Sequence, residues 1–194
     1  MRVITGKAKG KRLKAPSGIQ TRPITDMIKE ALFNVIGSDI NGAYLLDLFA
    51  GSGSVGIEAL SRNAAGVIFI DQSINAVKTI EYNLANCKFN NNFEIYRKDV
   101  FKALYILHKR KLKFEYIYVD PPFNSDTIID RVLPAIEKAD VLKETGLLII
   151  RTRRQKELPT ILLTLDQYRV NNYGDSTLHY YRKQEEERLD DGNI

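Results

Sequence analysis

Apolar residues occur along the chain in short continuous runs, separated by longer segments in which they recur at helical spacing. Apolar runs of about 4–8 residues are typical of strands that are buried on both faces of a parallel sheet. Because helical segments separate the runs, the pattern predicts an α/β fold with a doubly wound, mostly parallel sheet. The predicted parallel strands are residues 44–49, 66–71, 92–96, 116–119 and 146–151.

The N-terminal part departs from this alternation. Residues 1–14 predict a small β-hairpin arm that turns around its glycines. A helix is predicted over residues 25–36, with Thr25 as its N-cap and Gly37 as its end.

The C-terminal part predicts two closely spaced strands, 168–173 and 178–182, joined through a Gly-Asp-Ser turn. Such a pair suits an antiparallel hairpin at the edge of the sheet and brings the sheet to seven strands. We therefore expect a basic hairpin arm, one main domain and an acidic, disordered tail. The boundaries of these parts are residues 1–24, 25–184 and 185–194.

The chain has 194 residues, of which 44% are hydrophobic, enough to form one good core. A single cysteine, Cys87, excludes an internal disulfide and is typical of a reducing compartment. No apolar stretch reaches membrane length and the N-terminus has no hydrophobic signal segment, so we expect a cytoplasmic protein without a membrane partner. The two histidines, His108 and His179, lie far apart without companion ligands, so no metal site is expected.

The net charge of +5 is unevenly distributed. Residues 1–22 contain seven Lys or Arg and no acid, and two further basic runs occupy residues 108–113 and 151–156. Basic segments beside a binding pocket are typical of proteins that bind RNA, although a single run is more often only a solvated surface. The arm residues that we expect to contact RNA phosphates are Lys7, Lys9, Lys11, Arg12 and Lys14.

A glycine-rich turn joins the first predicted strand to a helix. Gly51, Gly53 and Gly56 have the G-x-G-x-x-G spacing of dinucleotide-binding turns, and Asp71 follows 20 residues after Gly51. A carboxylate there can accept both hydroxyls of a ribose, so the motif indicates a cofactor that contains adenosine. Asp47, inside the first strand, would repel a pyrophosphate, which favours S-adenosylmethionine over a nicotinamide dinucleotide. The glycines alone are also consistent with an ordinary tight turn.

A second motif, Asp120-Pro121-Pro122-Phe123, ends the apolar run 116–119. The lone pair of an exocyclic nucleobase amine is delocalised into the ring, so chemistry at this nitrogen needs acceptors aimed at its hydrogens. Asp120 and the rigid Pro121 carbonyl can supply two acceptors, and Phe123 offers a face on which a base can stack. The tetrapeptide alone is also consistent with a Pro-Pro turn after a strand.

Together these motifs resemble those of the RsmD-type 16S ribosomal RNA guanine-N2 methyltransferases, within the Rossmann-like S-adenosylmethionine-dependent methyltransferases. The resemblance covers nearly the whole chain. It is carried by the segments 2–6, 10–13, 21–23, 30–34, 47–62 and 120–123. It implies methyl transfer from S-adenosyl-L-methionine to the N2 amine of a guanine in small-subunit ribosomal RNA, either naked or within an assembling 30S particle. We expect the protein to act as a monomer.

The resemblance also implies roles for individual residues. The catalytic residues Asp120, Pro121, Pro122 and Phe123 would hold the target guanine. Asp99 and Val100 would hold the adenine of the cofactor, and residues 21–23 would close over it. The full set of implied cofactor-binding residues is Thr21, Arg22, Pro23, Asp47, Phe49, Gly51, Gly53, Asp71, Asp99 and Val100.

Two residues depart from the expected pattern. Arg151 stands at the end of the fifth parallel strand, where similar proteins more often carry an acid, and its role is open. Pro134 falls inside the helical pattern after the Asp-Pro-Pro-Phe motif, where we expect it to start or kink the helix.

Three other functions remain open. A DNA adenine-N6 methyltransferase would use a similar pocket, but usually brings a sizeable DNA-reading region. A non-catalytic RNA-binding module would keep the basic arm and the fold, although the joint presence of four acids, Asp47, Asp71, Asp99 and Asp120, argues against it. An NAD-dependent oxidoreductase would not require the Asp-Pro-Pro-Phe motif.

Overall fold

The computed structural model describes residues 1–17, 24–122 and 126–184. These residues form a seven-stranded sheet with helices on both faces, which confirms the predicted fold class. The strands are β1 (Tyr44–Leu48), β2 (Gly66–Asp71), β3 (Phe93–Arg97), β4 (Phe114–Val119), β5 (Leu142–Arg153), β6 (Leu165–Tyr173) and β7 (Ser176–Lys183). The α-helices are α1 (Asp26–Ile36), α2 (Ser54–Ser61), α3 (Ile74–Asn86), α4 (Val100–Lys109) and α5 (Asp126–Ala139).

The strand order β3-β2-β1-β4-β5-β7-β6 determines where a ligand can bind. Strands β1 to β5 pair in parallel, whereas β7 is antiparallel to both β5 and β6 and forms the predicted C-terminal hairpin. The chain leaves β1 toward β2 and β3 and then returns to β4 on the other side of β1. The carboxyl ends of β1 and β4 therefore flank the crevice in which open α/β sheets bind their ligands.

The sheet separates two hydrophobic cores. On one face, Leu45 of β1 belongs to a cluster with Ile28 of α1 and Ile80 of α3. On the other face, Leu46 belongs to a cluster with Leu104 of α4, together with residues of α5. Because successive side chains of a strand point to opposite faces, one continuous apolar run in the sequence serves both cores.

The structure bears on predictions about two helices, α1 and α5. The N-cap of α1 is confirmed, because the Thr25 hydroxyl accepts the N–H of Ile28 at 3.3 Å, and the helix ends at Gly37, whose φ is 69°. Pro134, which is predicted to start or kink its helix, does not start it but lies inside α5. A proline inside a helix costs about 3 kcal/mol, but the apolar face of α5 is buried in the core beside it, and such packing supplies most of the stability of a helix in a protein.

The N-terminal arm packs against the main domain. Arg2 and Arg12 form an antiparallel bridge. Between and beside them, Val3, Ala8 and Leu13 are buried and belong to the same cluster as Leu45. The apolar positions of the arm therefore face the core, while the basic positions between them stay exposed.

A buried carboxylate on α2, Glu58, fastens the arm to the domain. It accepts the N–H groups of Ile4 and Thr5 at 2.7 and 3.0 Å. Lys29 of α1 lies 3.6 Å from the same carboxylate, and both side chains are fully buried. Arg62 adds a contact of 2.9 Å. Loss of Glu58 would leave two backbone amides without their acceptor and the buried Lys29 ammonium without its opposite charge, although the Arg2 carbonyl and the Ser54 hydroxyl would still accept hydrogen bonds from it.

Replacing Glu58 with alanine should lower the free energy of unfolding by about 3–5 kcal/mol, because breaking a buried pair leaves the remaining charge uncompensated. Urea unfolding measures this loss. The matched control is Glu94→Ala, which removes an exposed ion pair with Arg110 and should cost less than about 1 kcal/mol. Equal losses in the two variants would contradict the role assigned to Glu58.

Candidate active site

A cavity of 340 Å³ lies at the carboxyl ends of β1, β2 and β4. Of the residues predicted for the site, it brings together Asp47, Phe49, Gly51, Asp71, Asp99, Val100, Asp120, Pro121 and Pro122. Gly53 lies in the adjoining turn but not in the wall. Phe123, Thr21, Arg22 and Pro23 lie outside the described residues.

The turn from β1 to α2 forms one side of the cavity. Phe49, which follows β1, has a φ of 60°, which is uncommon for a residue with a Cβ atom, and Gly51 and Gly53 also have positive φ angles. Gly56 serves a different purpose. A Cβ atom there would lie 2.3 Å from the ring of Phe69, so this glycine allows α2 to pack closely on β2.

Asp47 is buried in the wall of this cavity, with 2% of its surface exposed. Its Oδ2 accepts the N–H of Gly56 at 3.0 Å, which joins β1 to the first turns of α2. Burial raises the pKa of Asp47 well above its usual value, the carboxylates of Asp120 and Asp71 add to this rise, and the Gly56 bond opposes it. A cation bound in the cavity would favour the ionised form of Asp47.

Asp71 ends β2 with both oxygens held by the backbone. Oδ2 accepts the N–H of Gly51 and Oδ1 accepts the N–H of Ser73, each at 2.9 Å. Asp99 is held in a similar way as the N-cap of α4, where its Oδ1 accepts two backbone N–H groups. A carboxylate has about four acceptor positions, so both aspartates keep acceptor capacity for the hydroxyls or amines of a ligand.

Asp120 follows β4 and has partners on two strands. Its Oδ2 accepts Nη1 of Arg151 at 3.0 Å and the hydroxyl of Tyr118 at 3.2 Å. Nε and Nη2 of Arg151 donate to Oγ of Ser176 at 3.3 and 3.2 Å. Burial raises the pKa of Asp120, and the neighbouring Arg151 guanidinium opposes this rise. Arg151, whose role the sequence leaves open, is therefore the ion-pair partner of the predicted catalytic carboxylate.

The sequence analysis does not identify Tyr118 or Arg151 as partners of Asp120. Tyr118 precedes Asp120 by two residues, and the alternation of side chains along an extended chain would have predicted that they share a face. Arg151 belongs to the basic run 151–156, which is predicted to bind a polyanion, and for Arg151 this prediction is wrong because only 1% of its side chain is exposed.

The other basic run, 108–113, lies away from the cavity. It precedes β4, whereas Asp120 follows that strand, and a strand of this length spans about 20 Å. Arg110 pairs with Glu94, and Lys113 pairs with Asp140. The run therefore lies at the end of α4 and in the loop that enters β4, and it does not adjoin the cavity.

The charge of the cavity wall restricts the class of ligand. Four carboxylates line it, those of Asp47, Asp71, Asp99 and Asp120, whereas Lys98 is the one lysine or arginine among the described lining residues. Such a wall attracts a cation and repels a pyrophosphate. The residues present therefore fit a positively charged cofactor that contains a ribose.

The remaining predicted features lie elsewhere in the described part of the chain. His179 is buried between Thr152 and Gln167, and burial lowers its pKa to about 4. Within residues 1–17, 24–122 and 126–184, no three His, Cys, Asp or Glu side chains are grouped so that they could hold a metal ion. Over the same ranges, no helix has both the length and the apolar character needed to span a bilayer.

Comparisons with known proteins identify relatives over nearly the whole chain. A family model described as conserved hypothetical protein 95 matches residues 1–182. YlbH of Bacillus subtilis (strain 168), provisionally named an rRNA methyltransferase, is 39% identical over 183 residues, which cover 94% of this chain and 99% of YlbH. Ribosomal RNA small subunit methyltransferase D of Escherichia coli (strain K12) is 29% identical over 184 residues, which cover 95% of this chain and 90% of that protein. The solved structure of yhhF from Escherichia coli, provisionally named a methyltransferase, is 29% identical to this chain and has a TM-score of 0.80. The match covers 95% of this chain and 98% of yhhF.

Replacing Asp47 with asparagine should raise the thermal unfolding midpoint of the ligand-free protein at neutral pH. The pKa of Asp47 is higher in the fold than in the unfolded chain, so ionisation costs stability as the pH rises above about 4. Asparagine keeps an oxygen for the Gly56 N–H but carries no charge. The gain should shrink as the pH falls toward about 4, where the carboxyl group is increasingly protonated in both states.

The matched variant Asp71→Asn should have the opposite sign. Burial raises the pKa of Asp71 too, but both of its oxygens accept backbone N–H groups and an amide supplies only one acceptor. The unpaired N–H should outweigh the relief of charge, so about 1–3 kcal/mol of stability should be lost. A lower midpoint for Asp47→Asn at neutral pH would contradict the assignment of a destabilising buried charge.

Proposed function

This chain belongs to the RsmD-type methyltransferase family, and we propose that it transfers a methyl group from S-adenosyl-L-methionine to the N2 amine of a guanine in small-subunit ribosomal RNA. The observation that carries the proposal is the Asp120 carboxylate, which lies in a cavity lined by further carboxylates. Small-subunit rRNA is the substrate class named for the Escherichia coli relative. The choice of guanine N2 rests on the resemblance of segment 120–123 to the motif of the family.

The cavity wall supports the choice of cofactor. S-adenosylmethionine supplies a methyl group that is already activated on a positively charged sulfonium. Of the residues that line the cavity, Asp71 would accept the ribose hydroxyls, Asp99 and Val100 would hold the adenine, and Asp47 would accept the amino group. The negative charge of these residues also disfavours NAD, since its pyrophosphate would be repelled.

The residues after β4 are suited to act on the target amine. Asp120 would accept one N–H and the Pro121 carbonyl the other, held in place by the fixed φ of consecutive prolines. Acceptors on both hydrogens draw electron density toward the nitrogen and localise its lone pair. The methylated nitrogen carries a positive charge until it loses a proton, and the raised pKa of Asp120 suits it to accept that proton or pass it to water. The guanine would enter unstacked, with Phe123 as its stacking partner.

Asp120→Ala should cut methyl transfer about a hundredfold or more, because the group that acts on the reacting amine is removed. The substrates are rRNA and 30S particles from cells that lack the protein. Mass spectrometry measures the N2-methylguanine that forms when the protein or the variant is added to them. Calorimetry should show that S-adenosylmethionine still binds and that NAD does not.

The control for this prediction is Asp39→Ala, an exposed acid in the turn after α1, which should retain normal transfer. Near-normal turnover in Asp120→Ala would mean that the motif is only a turn. Absence of N2-methylguanine in the products of the unmodified protein would reject the proposed reaction.

The arm is proposed to bind RNA phosphates next to this cavity. Its apolar side chains face the core, and Ala15 and Pro16, at its end, line the cavity wall. The basic surface therefore adjoins the place where the base would enter. The exposed basic residues are Lys7, Lys9, Lys11, Arg12 and Lys14. The alternative is an arm that only packs on the domain and keeps its charges solvated.

Neutralising the five basic residues between positions 7 and 14 should reduce the magnitude of the salt slope of RNA binding by about two to four, if three or four phosphates are contacted. Titrations over a series of salt concentrations measure the slope. Cofactor affinity should change little. The double variant Lys109→Gln/Lys111→Gln, in the run before β4, should leave the slope unchanged, whereas an unchanged slope in the folded arm variant would favour the solvated arm.

A further inference from the structure

The two oxygens of the Asp120 carboxylate have different surroundings. Oδ2 accepts hydrogen bonds from Nη1 of Arg151 and from the hydroxyl of Tyr118, whereas Oδ1 has no donor among the described residues. The side chain of Asp120 is 19% exposed in the cavity wall, but that of Arg151 is only 1% exposed. The guanidinium therefore lies behind the carboxylate and is not itself a surface for a ligand.

The guanidinium of Arg151, which binds Asp120, is itself held in place by Ser176. It comes from β5, and two of its guanidinium nitrogens share the hydroxyl of Ser176, a fully buried residue of β7. The guanidinium is planar, so fixing two nitrogens also fixes the direction of the third, Nη1, which faces Asp120. A lysine could supply the charge at this place but not the same direction.

We propose that Arg151 is a positioning residue for methyl transfer, which holds the Asp120 carboxylate by Oδ2 so that Oδ1 alone faces the target amine. The pairing stands on the structure, while the identity of the amine rests on the function proposed above. Among the residues that the structure describes, the charged or titratable groups that face Asp120 are Asp47 of β1, Tyr118 of β4 and Arg151 of β5. Of these, Arg151 alone favours the ionised carboxylate through its charge, and Tyr118 adds a hydrogen bond.

The first test follows the Asp120 carboxyl carbon by ¹³C NMR during a pH titration of the ligand-free protein. Arg151→Gln should raise its titration midpoint by about 1–3 pH units, because the opposite charge is lost. Arg151→Lys should raise it less, and Ser176→Ala, which loosens the guanidinium without removing its charge, should raise it least. Lys183→Gln removes an ion pair at the other end of β7 and should leave the midpoint unchanged. Equal midpoints in the unmodified protein and Arg151→Gln would overturn the pairing.

The second test measures kcat for rRNA methylation against pH in the same variants. Arg151→Gln should lower kcat at least tenfold near pH 6.5 and recover part of it as the pH rises, with KM for S-adenosylmethionine unchanged. Ser176→Ala keeps the buried charge and should show a small loss of kcat. This variant keeps the test decisive if Arg151→Gln does not fold. A shifted carboxyl titration with an unchanged pH–rate profile would overturn the positioning role. If the unmodified protein methylates no rRNA, the proposed function fails, and the NMR titration still decides whether Arg151 holds Asp120.

Discussion

The burial of negative charge at the carboxyl edge of the sheet is the constraint on which the site depends. Asp47, Asp71 and Asp120 come from three neighbouring strands and are each at least partly removed from water, and the charges of Asp120 and Asp71 add to the cost of ionising Asp47. The fold supplies each with its own donors: a backbone N–H for Asp47, two for Asp71, and a guanidinium with a phenol for Asp120. A cavity with this charge is therefore less stable than a neutral one would be, and a cationic ligand relieves that cost.

The parallel strands could be predicted because each is one apolar run, and burial on both faces leaves that mark directly in the sequence. The predicted boundaries of the strands were less accurate than their number and their order along the chain. Strand β5 begins at Leu142, four residues before its predicted start, because Leu142 pairs with Phe114 ahead of an irregularity in the β4–β5 register. Such an irregularity depends on the partner strand, and the composition of one segment does not reveal it.

The candidate site was partly predictable for a topological reason. Parallel strands bring their carboxyl ends to one edge, so acids found at the ends of separate runs were expected to meet, and Asp47, Asp71 and Asp120 line one cavity. The choice of cation for each acid was not predictable. Nothing in the sequence distinguishes the environments of the cations Lys29, Arg110 and Arg151. Lys29 lies in a buried ion pair under the arm, Arg110 in an exposed pair, and Arg151 behind Asp120. Only tertiary packing distinguishes these environments.

The attachment of the arm also has a consequence for the order in which the protein matures during translation. The arm is synthesised before α2 and α3, but its backbone is held by Glu58 and Ser61 of α2 and by Asn83 of α3. Asn83 also binds the carbonyl of Ser52, in the turn beside the cavity. The docking surface of the nascent arm is therefore incomplete until α3 has left the ribosome, and the polar contacts of Asn83 with the arm and with this turn form in the same late step.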